Sequence, residues 1–392
     1  MEEYLENIFL FFSDTMVPMK NEFNNTESKN NVNPSEQGRG SGAVVHKRRP
    51  RYKGTHPRKF SEKYKELNPE LYPETIEKVI AKGSTPAGMH IPIAVQEILD
   101  VLAIKEGENG LDCTLGYGGH TRRMLEQLNG KGHLTSLDVD SENIVRTEGM
   151  LRKEGFGEEI LSIRHINFQN LDQAAEEQGK FDFILADLGV SSMQIDEPER
   201  GFSWKHEGPL DLRLDQKSGE PASERLKELE WDELAGMLME NADEPYAEEI
   251  ARTVTRAIYH KKPVETTTQL AELIREAVTS ATKKDNLKKG ELEDLLKKSC
   301  TRTFQALRID INQEYEVLYN MLEKLPEVLK EGGRVAILTF HSGEDRIVKK
   351  EFKRFYKEGL FSEIAKDAIR PSKEECFRNP RARSAKLRWA VK

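Results

Sequence analysis

The chain has 392 residues, of which 37% are hydrophobic and 33% charged, and a formal net charge of −8. That length admits two domains plus tails, and the composition suits a soluble globular protein rather than a fibrous or membrane one. No apolar run approaches the roughly 20 residues that span a bilayer. The short run Ile8–Phe12 follows Glu2, Glu3 and Glu6, where a secretion signal would carry positive charge. The cysteines, Cys113, Cys300 and Cys376, lie too far apart for a disulfide framework or a zinc site. A cytoplasmic protein without a metal centre is expected.

Residues 1–45 are polar and rich in Asn, Ser, Gly and Glu, the composition of a disordered extension. From His46 to Lys65 one acid stands among many bases, and Arg378–Lys392 holds no acid at all. Both stretches would attract phosphates. Leu67–Lys82 reads as a short helix, and the folded core is expected from about Gly88. There an alternation begins. Val95–Leu102 reads as a helix, Gly110–Leu115 as a strand, His120–Leu128 as a helix and His133–Asp138 as a strand. A helix over Ser141–Glu154 follows, then strands over Leu161–His165 and Phe181–Asp187. This spacing predicts an α/β fold with a mostly parallel, doubly wound sheet.

The pattern changes at about Ser223. Charged helices run to Cys300, with Thr266–Gln269 as a capping box before Leu270–Val278. One long helix is expected over Phe304–Leu325, then a strand over Val335–Phe340 and a last strand over Leu387–Val391. The resulting division is an extension at 1–87, a first sheet segment at 88–197, an inserted helical domain at 198–300 and a second sheet segment at 301–392.

The turn Gly116-Tyr-Gly-Gly-His120 follows a strand and opens a helix. Its glycines allow a sharp turn and close approach to a ligand. Asp138 ends the next strand, where a carboxylate can accept hydrogen bonds from two ribose hydroxyls. The spacing lacks the third glycine of a pyrophosphate loop. An adenosine cofactor without a phosphate therefore fits better than a nicotinamide dinucleotide.

Further motifs are more specific. They are Ala186-Asp-Leu-Gly-Val-Ser-Ser-Met-Gln-Ile-Asp196, Arg200-Gly-Phe-Ser-Trp204 and Gly208-Pro-Leu-Asp-Leu-Arg-Leu-Asp215. Thr303-Phe-Gln-Ala-Leu-Arg-Ile309 follows, with Asn312 and Glu314. Phe340-His-Ser-Gly-Glu-Asp-Arg-Ile-Val-Lys349 and Asn379-Pro-Arg-Ala-Arg-Ser-Ala-Lys-Leu-Arg388 complete the set. Over about residues 88–392 this order resembles the ribosomal RNA small subunit methyltransferase H family, also called MraW. The resemblance implies a bacterial, Rossmann-like enzyme that uses S-adenosylmethionine (SAM) to methylate N4 of a decoding-centre cytosine in 16S rRNA of the small ribosomal subunit. It implies cofactor contacts at Gly118, Gly119, His120, Asp138, Phe168, Asp187 and Gln194.

Tyr117 stands where the family commonly has arginine, Met193 where it has proline and Gly343 where it has leucine. These departures and the extension suggest a divergent second copy. The alternatives are a paralogue acting on another RNA and a catalytically silent rRNA-binding protein. Neither DNA nor a membrane is expected as a partner.

The cytosine amine is a poor nucleophile, so an acceptor for its proton is expected. Asp211 and His341 are the candidates. Arg200, Arg213, Arg308, Arg381 and Arg383 recur within the motifs and suit RNA contacts. Phe202 and Trp204 could stack on a flipped base or simply pack.

Overall fold

The computed structural model describes residues 92–392, apart from the side chain of Ser192. The expectations for the extension, the basic arm, the Leu67–Lys82 helix and the start of the core near Gly88 lie outside the described residues. The first half of the fold follows the predicted alternation, with an added helix, α4, that was not predicted: Val95–Leu102 (α1), Asn109–Asp112 (β1), Gly119–Leu128 (α2) and His133–Asp138 (β2), then Ser141–Lys153 (α3), Leu161–His165 (β3), Leu171–Gln178 (α4) and Phe181–Asp187 (β4). β1 pairs in parallel with β2 on one side and β4 on the other, and β3 pairs in parallel with β2. Chain order therefore reverses at β1, and a crevice opens beyond the carboxyl ends of β1 and β4. β4 reads as a continuous apolar run because helices cover both faces; Phe183, Ile184, Leu185 and Ala186 are fully buried.

Between β4 and the next strand lie Ser192–Asp196 (α5), Ala222–Glu228 (α6), Trp231–Ala242 (α7), Ala247–Tyr259 (α8), Thr267–Ala281 (α9), Lys289–Ile311 (α10) and Glu314–Val328 (α11). α7, α8, α9 and α10 share a core of their own, built on Leu238, Ile250, Val254, Leu270 and Ile274. The capping box that opens α9 is present: the Thr266 hydroxyl accepts from the Gln269 amide, and the Gln269 side chain accepts from the Thr266 amide. Residues 300 and 301 sit inside the single helix α10.

The long helix expected over Phe304–Leu325 is two helices. Gln313 adopts a left-handed conformation at φ 50°, and the chain turns there between α10 and α11. Asn312 stabilises the break. Its side chain accepts from the Leu214 amide and donates to the carbonyls of Leu212 and Arg308.

The sheet resumes with Leu329–Thr339 (β5), parallel to β4. Ser342–Lys357 (α12), Glu363–Ile364 (β6), Lys373–Arg378 (α13) and Lys386–Val391 (β7) follow. β7 lies antiparallel between β5 and β6, giving the order β3-β2-β1-β4-β5-β7-β6. The fold is thus α/β, Rossmann-like and mostly parallel, as expected; the antiparallel β7 and the two-residue β6 were not anticipated. Asp345 of α12 fixes β7 to the fold through Arg388 at 2.6 Å and Lys386 at 2.7 Å. Among the described residues, no helix is long and apolar enough to cross a membrane.

Candidate functional site

A cavity of about 530 Å³ opens at the crevice beyond β1 and β4. Its floor is the glycine turn. Asp112, fully buried at the end of β1, accepts from the Thr114 amide and the Thr121 hydroxyl. Thr114 in turn accepts from the Asp187 amide, which ties the turn to the end of β4. Gly116 has φ +48° and donates its amide to Asp138 Oδ2 at 2.8 Å. Gly118, at φ +71°, shapes the turn from behind: a Cβ there would meet Thr147 and Leu151. It does not line the cavity, whereas Gly116, Tyr117, Gly119 and His120 do.

Asp138 also accepts from the Asp140 amide, so each oxygen holds one backbone donor and keeps capacity for another. Burial pushes its carboxyl up to about 6, against the pull of those two amides. Phe168 lines the next wall with Ile166 and Asn167. At the end of β4, Asp187 Oδ2 lies 3.4 Å from His120 Nε2. His120 Nε2 and Asp187 Oδ1 are buried with no hydrogen-bond partner. Unsatisfied buried groups of this kind call for a polar ligand. A glycine turn that admits close approach, a carboxylate beyond β2, an aromatic wall and two buried polar atoms without a hydrogen bond together fit SAM.

The cavity is also lined by Trp204, Leu212, Leu214, Arg308, Phe340 and His341. Leu212 is a buried non-glycine residue at φ 65°; backbone held in that region carries strain that its surroundings must impose. His341, at the carboxyl end of β5, lies with Nε2 3.1 Å from Glu344 Oε1, yet neither ring nitrogen meets hydrogen-bond geometry. Burial would raise Glu344, but His341 and then Arg308 hold its carboxyl below the ordinary range. Arg308 grips both oxygens of Glu314, at 2.7 and 2.9 Å. Glu314, His341 and Glu344 each bring a ligand atom within 4.8 Å of the others. With both Glu314 oxygens already bound by a guanidinium, the cluster reads as a polar wall.

Three expected roles need correction. Asp211 does not line the cavity, and Arg213 occupies both its oxygens, at 2.7 and 2.9 Å. Burial raises its carboxyl, but the Arg213 hydrogen bonds outweigh that and hold it low, so it is a poor proton acceptor. Arg213 is thereby an internal partner, and it also donates to the Gly219 carbonyl. Arg200 points inward, 7% exposed, and pairs with Asp140 at 2.6 Å. It also donates to the carbonyls of Arg213 and Leu214. Both arginines are engaged within the chain, on Asp140, Asp211 and the carbonyls of residues 213, 214 and 219.

Gln194 lines the cavity, but its amide is spent on Asp140 and the Ser191 amide. Arg381 lines the rim, 3.5 Å from Asp196. Arg383 is exposed and donates to the Cys376 carbonyl. Asp140 is the residue that sequence reasoning missed. It caps α3 and receives Gln194 and Arg200. The one signal was its place before a helical run, where aspartate is a favoured cap.

Comparison with known proteins matches residues 87–392 to the MraW methylase family. The chain is 60% identical to the ribosomal RNA small subunit methyltransferase H 1 of Lachnoclostridium phytofermentans, over 89% of this chain and 93% of that one. It is 58% identical to the protein of the same name from Agathobacter rectalis, over 88% and 98%. Identity to the ribosomal RNA small subunit methyltransferase H 2 of Alkaliphilus metalliredigens is 59%, over 88% and 97%. The numerals in these names agree with the expectation of a duplicated member.

Proposed function

The chain belongs to the MraW methylase family, its cofactor is SAM, and from that premise we propose that it methylates N4 of a decoding-centre cytosine in 16S rRNA, as a cytoplasmic enzyme of the small ribosomal subunit. The names of its relatives support an rRNA substrate. The carrying observation is one cavity lined both by Gly116, Asp138 and Phe168, which fit the cofactor, and by Trp204, Arg308 and His341. When bound, SAM supplies a methyl group on a sulfonium.

The residues of the chain do the rest. Asp138 holds the ribose, Phe168 walls the adenine, and His120 with Asp187 meets the polar end of the cofactor. Trp204 and Phe340 present ring faces to an unstacked base. Arg308 offers donors to a base edge from a position fixed by Glu314. His341 accepts the amine proton, and Glu344 stabilises the imidazolium that forms. Holding the amine in line with the methyl supplies much of the acceleration. The helices between β4 and β5, with the loops of 198–221, form the substrate-recognition part. Arg381 at the cavity and the exposed Arg383 contact RNA.

The test is labelled SAM with purified small subunits and with free 16S rRNA, followed by mapping of the modified nucleotide. Label on N4 of one decoding-centre cytosine is expected. Label confined to another RNA would support the paralogue reading, and no transfer to any RNA would overturn both.

A further inference from the structure

α12 begins at the wall of the cavity, with His341 as its N-cap, and runs outward for 16 residues, about 24 Å. Its charges are sorted by sign. The acids Glu344, Asp345 and Glu351 are 3%, 8% and 4% exposed, and each has an internal partner: His341, Lys386 with Arg388, and Arg354. The exposed face carries Arg346, Lys349, Lys350, Lys353 and Lys357. Nearby acids are already spent, since Arg354 takes Glu323 and Glu358, and Asp243 lies 4.0 Å from Arg346.

Lys349, Lys353 and Lys357 follow one another at four-residue spacing, and among the described residues none of them has an ion-pair partner. Like charges at that spacing repel and destabilise a helix. A helix that only needed solvation would interleave signs, and this chain, at net −8, has acids in excess. A shallow depression of about 390 Å³ lies among Lys350, Lys353, Arg354, Lys357 and Glu358. A concave basic surface of this kind matches a run of phosphates.

We propose that the exposed face of α12 is a track for the phosphate backbone of the RNA substrate, leading away from the cavity in which one of its bases is methylated. This rests on the RNA reading given above. The track fixes where the strand lies and carries no sequence information of its own, which is the usual division between phosphate and base contacts.

The test uses the full chain with Lys349, Lys353 and Lys357 all changed to alanine, which is compatible with a helix. Binding to 16S rRNA is measured against potassium chloride concentration. Each lost phosphate contact lowers the slope of log affinity against log salt by about 0.7 to 0.9, so a decrease of roughly 2 to 3 is expected. SAM affinity should not move. A charge-matched control, the exposed Lys105, Lys153 and Lys180 to alanine, all outside α12, should leave the slope unchanged, and a triple lysine-to-arginine variant at 349, 353 and 357 should retain it. A parent that binds and methylates RNA with the same slope as the alanine variant would overturn the track while sparing the function. Equal losses in variant and control would reduce the effect to net charge and also overturn it. Loss of binding to anionic phospholipid vesicles with the RNA slope intact would assign the face to a lipid surface instead.

Discussion

Asp138 serves two opposed requirements. In the proposed role the carboxylate accepts the ribose hydroxyls best when ionised, but it sits where burial pushes its pKa to about 6, from an ordinary 3.8. The native state therefore binds this proton more tightly than the unfolded chain does. The contribution of Asp138 to stability is greatest below about pH 4, falls as pH rises to about 6, and is level above that, a change on the order of 3 kcal/mol. Asp211 and Glu344, held low, contribute in the opposite direction. Asp138→Asn should remove that pH dependence, so its melting temperature gains on the parent between pH 4 and 7. Calorimetric titration of SAM should show the reverse: parent affinity falling about tenfold per pH unit below 6, and weak, pH-independent binding for the variant. A parent affinity that is flat from pH 5 to 7 would separate the carboxylate from the cofactor. The neighbouring acid shows what a sequence leaves hidden. Asp138 and Asp140 sit two apart in Asp-Val-Asp; the end of β2 pointed to Asp138, and only the packed loop, with Arg200 turned inward, assigns Asp140 to a buried junction. Asp211 and Arg213 are also two apart, and their motif looked reactive until the fold closed them on each other.

Regular elements were legible where periodicity is a local property. β2, β3 and β4 match their predicted spans, because each is a buried run bounded by turn residues. The break between α10 and α11 was not legible, since neither glycine nor proline marks it. Asn312 makes it stable, and two of its three partners, Leu212 and Leu214, lie about a hundred residues earlier. β6 was illegible for the same reason, as two residues become a strand only because β7 arrives beside them. Asn312 also anchors the strained loop that carries Leu212 to the cavity. Asn312→Ala should therefore cost about 1 to 3 kcal/mol of stability from the unsatisfied amide and carbonyl groups it leaves. It should also lower turnover on RNA severalfold with SAM affinity intact. A loss of SAM binding equal to the loss of turnover would contradict that separation.

At the level of the whole molecule, the separation between β4 and β5 matters most. These strands lie side by side in the middle of the sheet, yet about 140 residues of helix and loop separate them in sequence. Until that stretch folds, β4 is an unpaired parallel edge, and joining distant ends in an open chain carries a large entropic barrier. Helices that fold first on their own core would shorten the effective loop. Ile274→Ala, at a fully buried position of that core, should cost 2 to 5 kcal/mol locally. In stopped-flow refolding it should delay the appearance of SAM binding more than the regain of helical signal. If both signals slowed together, sheet closure would not depend on the helices. With SAM binding delayed more than helix formation, the helices that the proposed function places against the substrate would also be the scaffold on which the sheet is assembled, so a mutation there can reduce the yield of folded enzyme without touching its chemistry.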